Sequence, residues 1–310
     1  MNRKYAPLVT LAVLFGACCA FNADFRSPYN LMNIARQVSY SGLLALGMTL
    51  VIAGGGIDLS VGSLLALSGV FGLQVMNALP PTAPAWAAFL AMAIVALVVG
   101  IVGGALNGAL VNIGRIPPFI ATLGTFSIYR SLAVYSADAG LVQSSNSVLN
   151  GVARGLGGAL PLLVLLVAAA IISGILRHTR FGWRICAIGS NEKAATYAAI
   201  DVGATRFLSY AATGLLCGVG AILLASRLQS ISSTGAGNAY ELDAIACVII
   251  GGTPMSGGRA SIWGTLCGVF ILGIIGNALD LWSISANLQG TVKGIIIILA
   301  VLLQYRRNAR

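Results

Sequence analysis

The chain has 310 residues, of which 58% are hydrophobic and only 8% charged. A soluble domain carries about 25% charged residues; a chain of this size with so few cannot coat itself against water, so lipid must solvate most of it. The formal net charge of +10 is scattered between apolar runs rather than clustered with aromatics on one solvated face, which argues against nucleic-acid binding and for basic loops on one side of a membrane.

The N-terminal "MNRKYAPLVTLAVLFGACCAF" has the basic start, apolar run and small residues of a signal peptide. With so membrane-like a remainder it reads as an uncleaved first span. Ten apolar segments approach the roughly 20 residues that a helix needs to cross the hydrocarbon. They fall at about 6–22, 37–54, 60–79, 85–113, 117–135, 160–177, 206–226, 240–253, 261–279 and 286–304. The fourth is long enough to tilt, break or extend into water. The eighth is short, as a half-helix or re-entrant segment would be. All nine prolines lie at or near segment edges, where a first helical turn tolerates them. The expected fold is an all-α integral membrane protein of about ten transmembrane helices, some short or broken, forming a single domain over 1–310.

Placing the N-terminus inside and alternating puts Arg3, Lys4, Arg115, Arg177, Arg180, Arg184, Lys193, Arg206, Arg259, Arg306, Arg307 and Arg310 on the inside. Only Arg26, Arg36, Arg154 and Arg227 fall outside, and Arg130 and Lys293 lie within helices. This basic bias predicts that both termini are cytoplasmic. Two polar segments interrupt the apolar pattern. The outside loop, about 136–159, is rich in Gly, Ser and Asn. The inside loop, about 178–205, contains "NEKAATYAAI", which reads as a short helix capped by Asn191. A short helix held outside the bilayer between two spans is either a docking surface or a plain surface loop.

The stretch "VIAGGGIDLSVGSLLALSGVF" (51–71) places Asp58 and three glycines inside an apolar run, and it echoes "VIIGGTPMSGGRASIWGTLCGVF" (248–270). The echo suggests an internal repeat, running parallel if 240–253 completes a crossing. Glycines 54–56 would end one helix, and Asp58 or Ser60 would cap the next. Three other roles for Asp58 stay open: contact with solute, a proton site and a cation site. Asn107, Thr122, Thr125, Asn277 and Gln289 are polar positions in spans. They suit the passage of a polyhydroxylated solute, and equally interhelical hydrogen bonds. Gly100, Gly104 and Gly108 have the spacing of close helix packing.

The six cysteines form no CxxC pair and His178 is the sole histidine, so a zinc site or a Cys/His catalytic pair has almost no material, and no metal site is expected. No GxxxxGK[ST] phosphate loop occurs, so the chain is not itself an ATPase. No nucleophile-and-base set marks it as an enzyme.

"GMTLVIAGGGIDLSVGSLLALSG" (47–69), "IPPFIATLGTFSIYRSLA" (116–133), "TRFGWRICAIGSNEKAATYAAIDV" (179–202) and "ELDAIACVIIGGTPMSGGRASIWGTLCGVF" (241–270) together resemble the ribose-type permeases of bacterial ATP-binding-cassette importers. The segments are spread along most of the chain, in the family's order and spacing. The resemblance implies an inner-membrane subunit that translocates a monosaccharide or related polyol by alternating access. It implies three kinds of partner: a second permease copy, identical or not, an ATPase that uses ATP and Mg, and a periplasmic solute-binding protein. It also implies that Gly189, Asn191, Glu192, Ala194, Ala195 and Ile200 couple to the ATPase. The chain itself is expected to bind no cofactor. The "GGTPMSGGRAS" turn departs from the family pattern, which leaves Thr253, Pro254 and Met255 without a family role. Two alternatives remain: a self-sufficient ion-coupled carrier or channel with Asp58 as its ion site, and a related permease for branched-chain amino acids.

Overall fold

A computed structural model describes residues 6–285, 288–296 and 298. The basic tail "QYRRNAR", Arg3 and Lys4 lie outside the described residues, as do both chain ends. The helices are α1 (Ala6–Phe21), α2 (Pro28–Ala53), α3 (Val61–Ala78), α4 (Ala85–Asn112), α5 (Pro118–Ser136), α6 (Ser147–Arg154), α7 (Leu160–His178), α8 (Arg180–Ser190), α9 (Glu192–Tyr197), α10 (Val202–Leu228), α11 (Tyr240–Ile250) and α12 (Ile262–Leu281). Residues 288–296 are also helical. Five helices (α3, α4, α7, α10 and α12) are long and apolar enough to cross a membrane by themselves. The protein is an all-α, multi-pass membrane protein.

Each predicted segment up to 261–279 coincides with a helix, and the tenth overlaps 288–296. The polar loops hold more structure than expected. The 136–159 loop contributes β1 (Leu141–Gln143), which pairs antiparallel with β2 (Ser230–Ser232) after α10, and α6, capped by Asn146 Oδ1 on the Val148 and Leu149 amides. Its Gly, Ser and Asn content suits capping and turns as well as it suits a loop. The 178–205 loop is almost wholly helical, because α8 precedes the expected α9.

α2 is the central element, buried from Val38 to Ala53 except at Ser41, and it packs on α7, α10, α11 and α12. α4 and α10 form the most extensive pair, and glycines on both set their separation. A Cβ on Gly100 would lie 2.3 Å from Gly214 O, and one on Gly104 would lie 2.3 Å from Tyr210 O. The backbones therefore touch, as small-residue faces allow in lipid.

The helix ends sort into two groups. At one end, the 54–60 turn, the 251–261 turn, α8 and α9 come together. At the other, β1, β2, α6 and the end of α3 meet: Asn77 Nδ2 donates to Gln143 O, and Asn146 Nδ2 to Ala85 O. The first group carries the basic inside loops of the sequence.

The eighth segment crosses in an unusual way. α11 has 11 residues, roughly 16 Å at the helical rise, too short to span. The chain before it descends instead: Ile231 packs on Gly69, and Gly237 lies against Gly62, seven residues nearer the start of α3. That is roughly 10 Å of depth covered by extended and turn residues. Non-helical backbone at such depth is tolerated where protein covers it, and Ile231 and Ser233 are fully buried. The re-entrant stretch and the half-helix together complete one crossing.

The echoed stretches share backbone geometry. Gly56 N donates to Val51 O and Gly55 N to Ile52 O; Thr253 N donates to Val248 O and Gly252 N to Ile249 O. Both are Schellman turns, with glycine at the left-handed position: φ is 77° at Gly55 and 89° at Gly252. Each turn leads from a descending helix into an ascending one, α3 or α12, so the two echoed stretches run in the same direction. The two turns also meet, with Gly258 N donating to Ala53 O and Thr49 bonded to Thr265 across α2 and α12 at 2.8 Å.

Candidate functional site

Asp58 follows the first Schellman turn. Ser60 N donates to its Oδ1 at 2.9 Å and Ser60 Oγ at 2.7 Å. Asn107 of α4 donates from Nδ2 to both carboxylate oxygens, at 3.3 and 3.4 Å, and to Ser60 Oγ at 2.7 Å. Thr125 of α5 donates to Asn107 Oδ1 at 2.6 Å. Asp58, Ser60 and Asn107 are fully buried, and Thr125 nearly so. Asp58 thus accepts from Ser60 rather than from amides inside α3, and Ser60 holds the N-cap position without a side-chain cap. The carboxylate closes a turn of its own and ties it through Asn107 to α4 and α5.

The depth of this turn follows from its partners. Asn107 is five residues before the end of α4, and Ile57 O accepts from Tyr210, eight residues into α10. Asp58 therefore sits roughly 8–12 Å inside the basic end, enclosed by protein rather than facing lipid.

The other polar positions separate. Thr122 donates to Pro118 O within its own helix. Asn277 of α12 and Asn30 of α2 exchange amide hydrogen bonds at 2.7 and 2.9 Å, far from Asp58. Gln289 donates to Asp280. Asn107 and Thr125 join Asp58; Thr122, Asn277 and Gln289 do not.

The inside loop docks where the two glycine turns meet. A Cβ on Gly189 would lie 2.0 Å from Ala53 O and 2.5 Å from Gly258 N, so α8 ends against both turns with no room for a side chain. Gly54 packs on Ile185, and Gly258 on Ser190. Asn191 Oδ1 then caps α9 on the Ala194 amide. Ala195 is buried against the body, Ala194 is exposed and Ile200 is half-buried. Glu192 is engaged within the chain: its carboxylate takes both ends of the Arg206 guanidinium, at 2.6 and 3.1 Å, which fixes α9 to α10.

The sequence reading passed over the aromatics of this surface. Trp183 of α8 and Tyr197 of α9 are 76% and 88% exposed, with Arg180, Arg184 and Lys193 also exposed. The signal was present in α8: Gly182, Ile185 and Ile188 are spaced three apart and buried, which leaves Trp183 and Arg184 on the open face. Among the described residues no group of three or more His, Cys, Asp or Glu could hold a metal.

A protein family described as "Branched-chain amino acid transport system / permease component" matches residues 30–301. A ribose import permease protein of Bacillus subtilis is 41% identical over 99% of this chain and 94% of its own length. That of Escherichia coli K12 is 37% identical over 99% and 95%. The L-arabinose transport system permease protein of the same organism is 33% identical over 99% and 92%. No solved structure matches.

Proposed function

This chain belongs to the branched-chain amino acid transport system permease family, and from that premise we propose that it is the membrane subunit of an ATP-driven importer of a monosaccharide, in the bacterial cytoplasmic membrane. It is a transport subunit rather than an enzyme. The observation that carries the sugar reading is similarity along essentially the whole chain to permeases named for ribose and arabinose. The family's own description favours a second reading, a branched-chain amino acid.

A separate ATPase binds ATP and Mg, a second permease copy completes the pathway, and an external binding protein delivers the solute. The ATPase docks on α8 and α9 at the basic, cytoplasmic end. Trp183 and Tyr197 supply apolar contact and the neighbouring basic residues supply charge. Gly189, seated against both glycine turns, passes the movement of that surface to α2, α3, α11 and α12. The buried Asp58 network holds the helix break together as these elements shift, which supports structural work over ion transport.

The test is reconstitution of this permease with its ATPase and binding protein in liposomes. ATP-dependent uptake of ribose or arabinose, with leucine excluded, is the expected result. Leucine uptake would select the second reading. Solute uptake by the chain alone under a proton or sodium gradient would overturn the importer assignment.

A further inference from the structure

Two charged residues inside the bundle take no part in the Asp58 network or the docking surface. Arg130 lies in α5, six residues before its outer end, and Glu241 opens α11 at the foot of the re-entrant stretch. Arg130 Nη1 donates to Ser233 O at 2.9 Å, in the middle of that stretch. Its Nη2 and the Glu241 Oε2 are buried and have no hydrogen-bond partner among the described residues. They do not close on each other: the ion pairs of the described residues are Arg206–Glu192 and Lys293–Asp243. Glu241 Oε2 points instead to the backbone of Gly62, where an added Cβ would lie 2.8 Å away.

Arg130 and Glu241 attract each other only across a gap, and a half-satisfied polar pair at this depth is costly. The bland reading of Glu241 is an acid favoured by the first turn of a helix. That accounts for its sign, but it leaves Arg130 Nη2 without a partner. The approach is polar as well. At the outer end of the same stretch, Gln229 and Ser230 line a cavity of about 450 Å³ with Asn77, Gln143, Ser144, Ser145 and one apolar residue, Leu228. No charged side chain lines that cavity. From there to Glu241 the chain reads "QSISSTGAGNAYE", with Ile231 as its one aliphatic side chain larger than alanine.

We propose that Arg130 and Glu241 form a hydroxyl-binding pair on the solute path, reached from the outer cavity along residues 229–241. A guanidinium donates to hydroxyl and ring oxygens, and a carboxylate accepts from hydroxyls. A neutral polyol satisfies both. An ion of either sign meets one like charge, so the pair selects against charged solutes as well as for hydroxylated ones. This rests on the reading of the chain as a sugar importer and adds the residues that touch the sugar.

The test uses the whole transporter in liposomes with ribose as probe, comparing Arg130→Gln, Glu241→Gln and the double exchange Arg130→Glu with Glu241→Arg. Each single substitution should lower ribose uptake by about tenfold or more while ATP hydrolysis stimulated by the binding protein stays within about twofold. Ribose carried per ATP then falls, and the double exchange does not restore it. Recovery in the double exchange would reduce the pair to a structural contact. A parallel fall of ATP hydrolysis and uptake, or unchanged uptake, would also overturn the proposal. Absence of ribose uptake by the unsubstituted transporter would count against the sugar reading itself, while the variants report on the pair.

Discussion

The residue whose role changes most is Asp58. A carboxylate in an apolar run needs a function to justify its cost, and the sequence read Asp58 as a cap for the next helix with solute, proton and cation roles left open. Here it is enclosed and accepts hydrogen bonds from Ser60 and Asn107. Asparagine keeps an acceptor at Oδ1 and nearly the same shape, so Asp58→Asn should retain ATP-driven uptake within about threefold. A proton or sodium carrier would lose it altogether. Asn107→Leu is the harsher change. It removes the donor that serves Asp58 and Ser60 and the acceptor of Thr125, leaving a buried carboxylate with fewer partners, at a cost of about 3 kcal/mol. Thermal unfolding of the purified protein in detergent measures that loss. The presence of a helix break was legible from Gly54, Gly55, Gly56 and Asp58. Its partners were not, because Asn107 and Thr125 meet it only through the packing of α4 and α5, which no local pattern encodes.

At the scale of elements, the junction of α8 with the two glycine turns is a close approach between the proposed docking surface and the core, with no room for a Cβ on Gly189. Gly189→Val would drive a branched side chain into Ala53 O and Gly258 N. Both are backbone atoms that cannot move aside as a side-chain end can, so the cost is about 1–3 kcal/mol, as for overpacking in a core. The same substitution separates α8 from α2, so in the assembled transporter ATP hydrolysis should continue while uptake falls. Hydrolysis and uptake measured on one preparation decide this, and equal loss of both would mean that the junction only supports the fold. The spans were legible from hydropathy because lipid demands long apolar helices. α11 is the exception. Its crossing is completed by Ser, Thr and Gly residues, which read as a loop in any hydropathy window; protein covers Ile231 and Ser233, while Thr234, Gly235 and Asn238 form an open face, the two settings in which non-helical backbone is tolerated at membrane depth. The echo of the two glycine stretches was visible in the sequence. The Schellman turns that they share lie in backbone hydrogen bonds that Gly55 and Gly252 permit but do not announce.

For the molecule as a whole, two helix-turn-helix units, α2 with α3 and α11 with α12, bring their glycine turns together at the basic end, with the end of α8 laid over the meeting point. A force applied to that surface reaches both units at once, through Gly189 to Ala53 and through Ser190 to Gly258. The proposed docking of the ATPase here requires enough area to transmit force, and exposed aromatics are the side chains that supply such area at low conformational cost. Glu192 is already engaged by Arg206; as an exposed pair this is worth at most about 1 kcal/mol, and its substitution should weaken α9 more than it weakens docking. Trp183→Ala combined with Tyr197→Ala leaves the buried face of α8 and α9 untouched, so the permease should keep its unfolding temperature. Its affinity for the ATPase should fall by about tenfold or more, the loss of one or two interface anchors. Co-purification and titration binding measure that affinity. If the double variant bound the ATPase as tightly as the unsubstituted chain, the docking face would lie elsewhere, and the short loops at 113–117 and 251–261 would be the remaining basic-end surface to test.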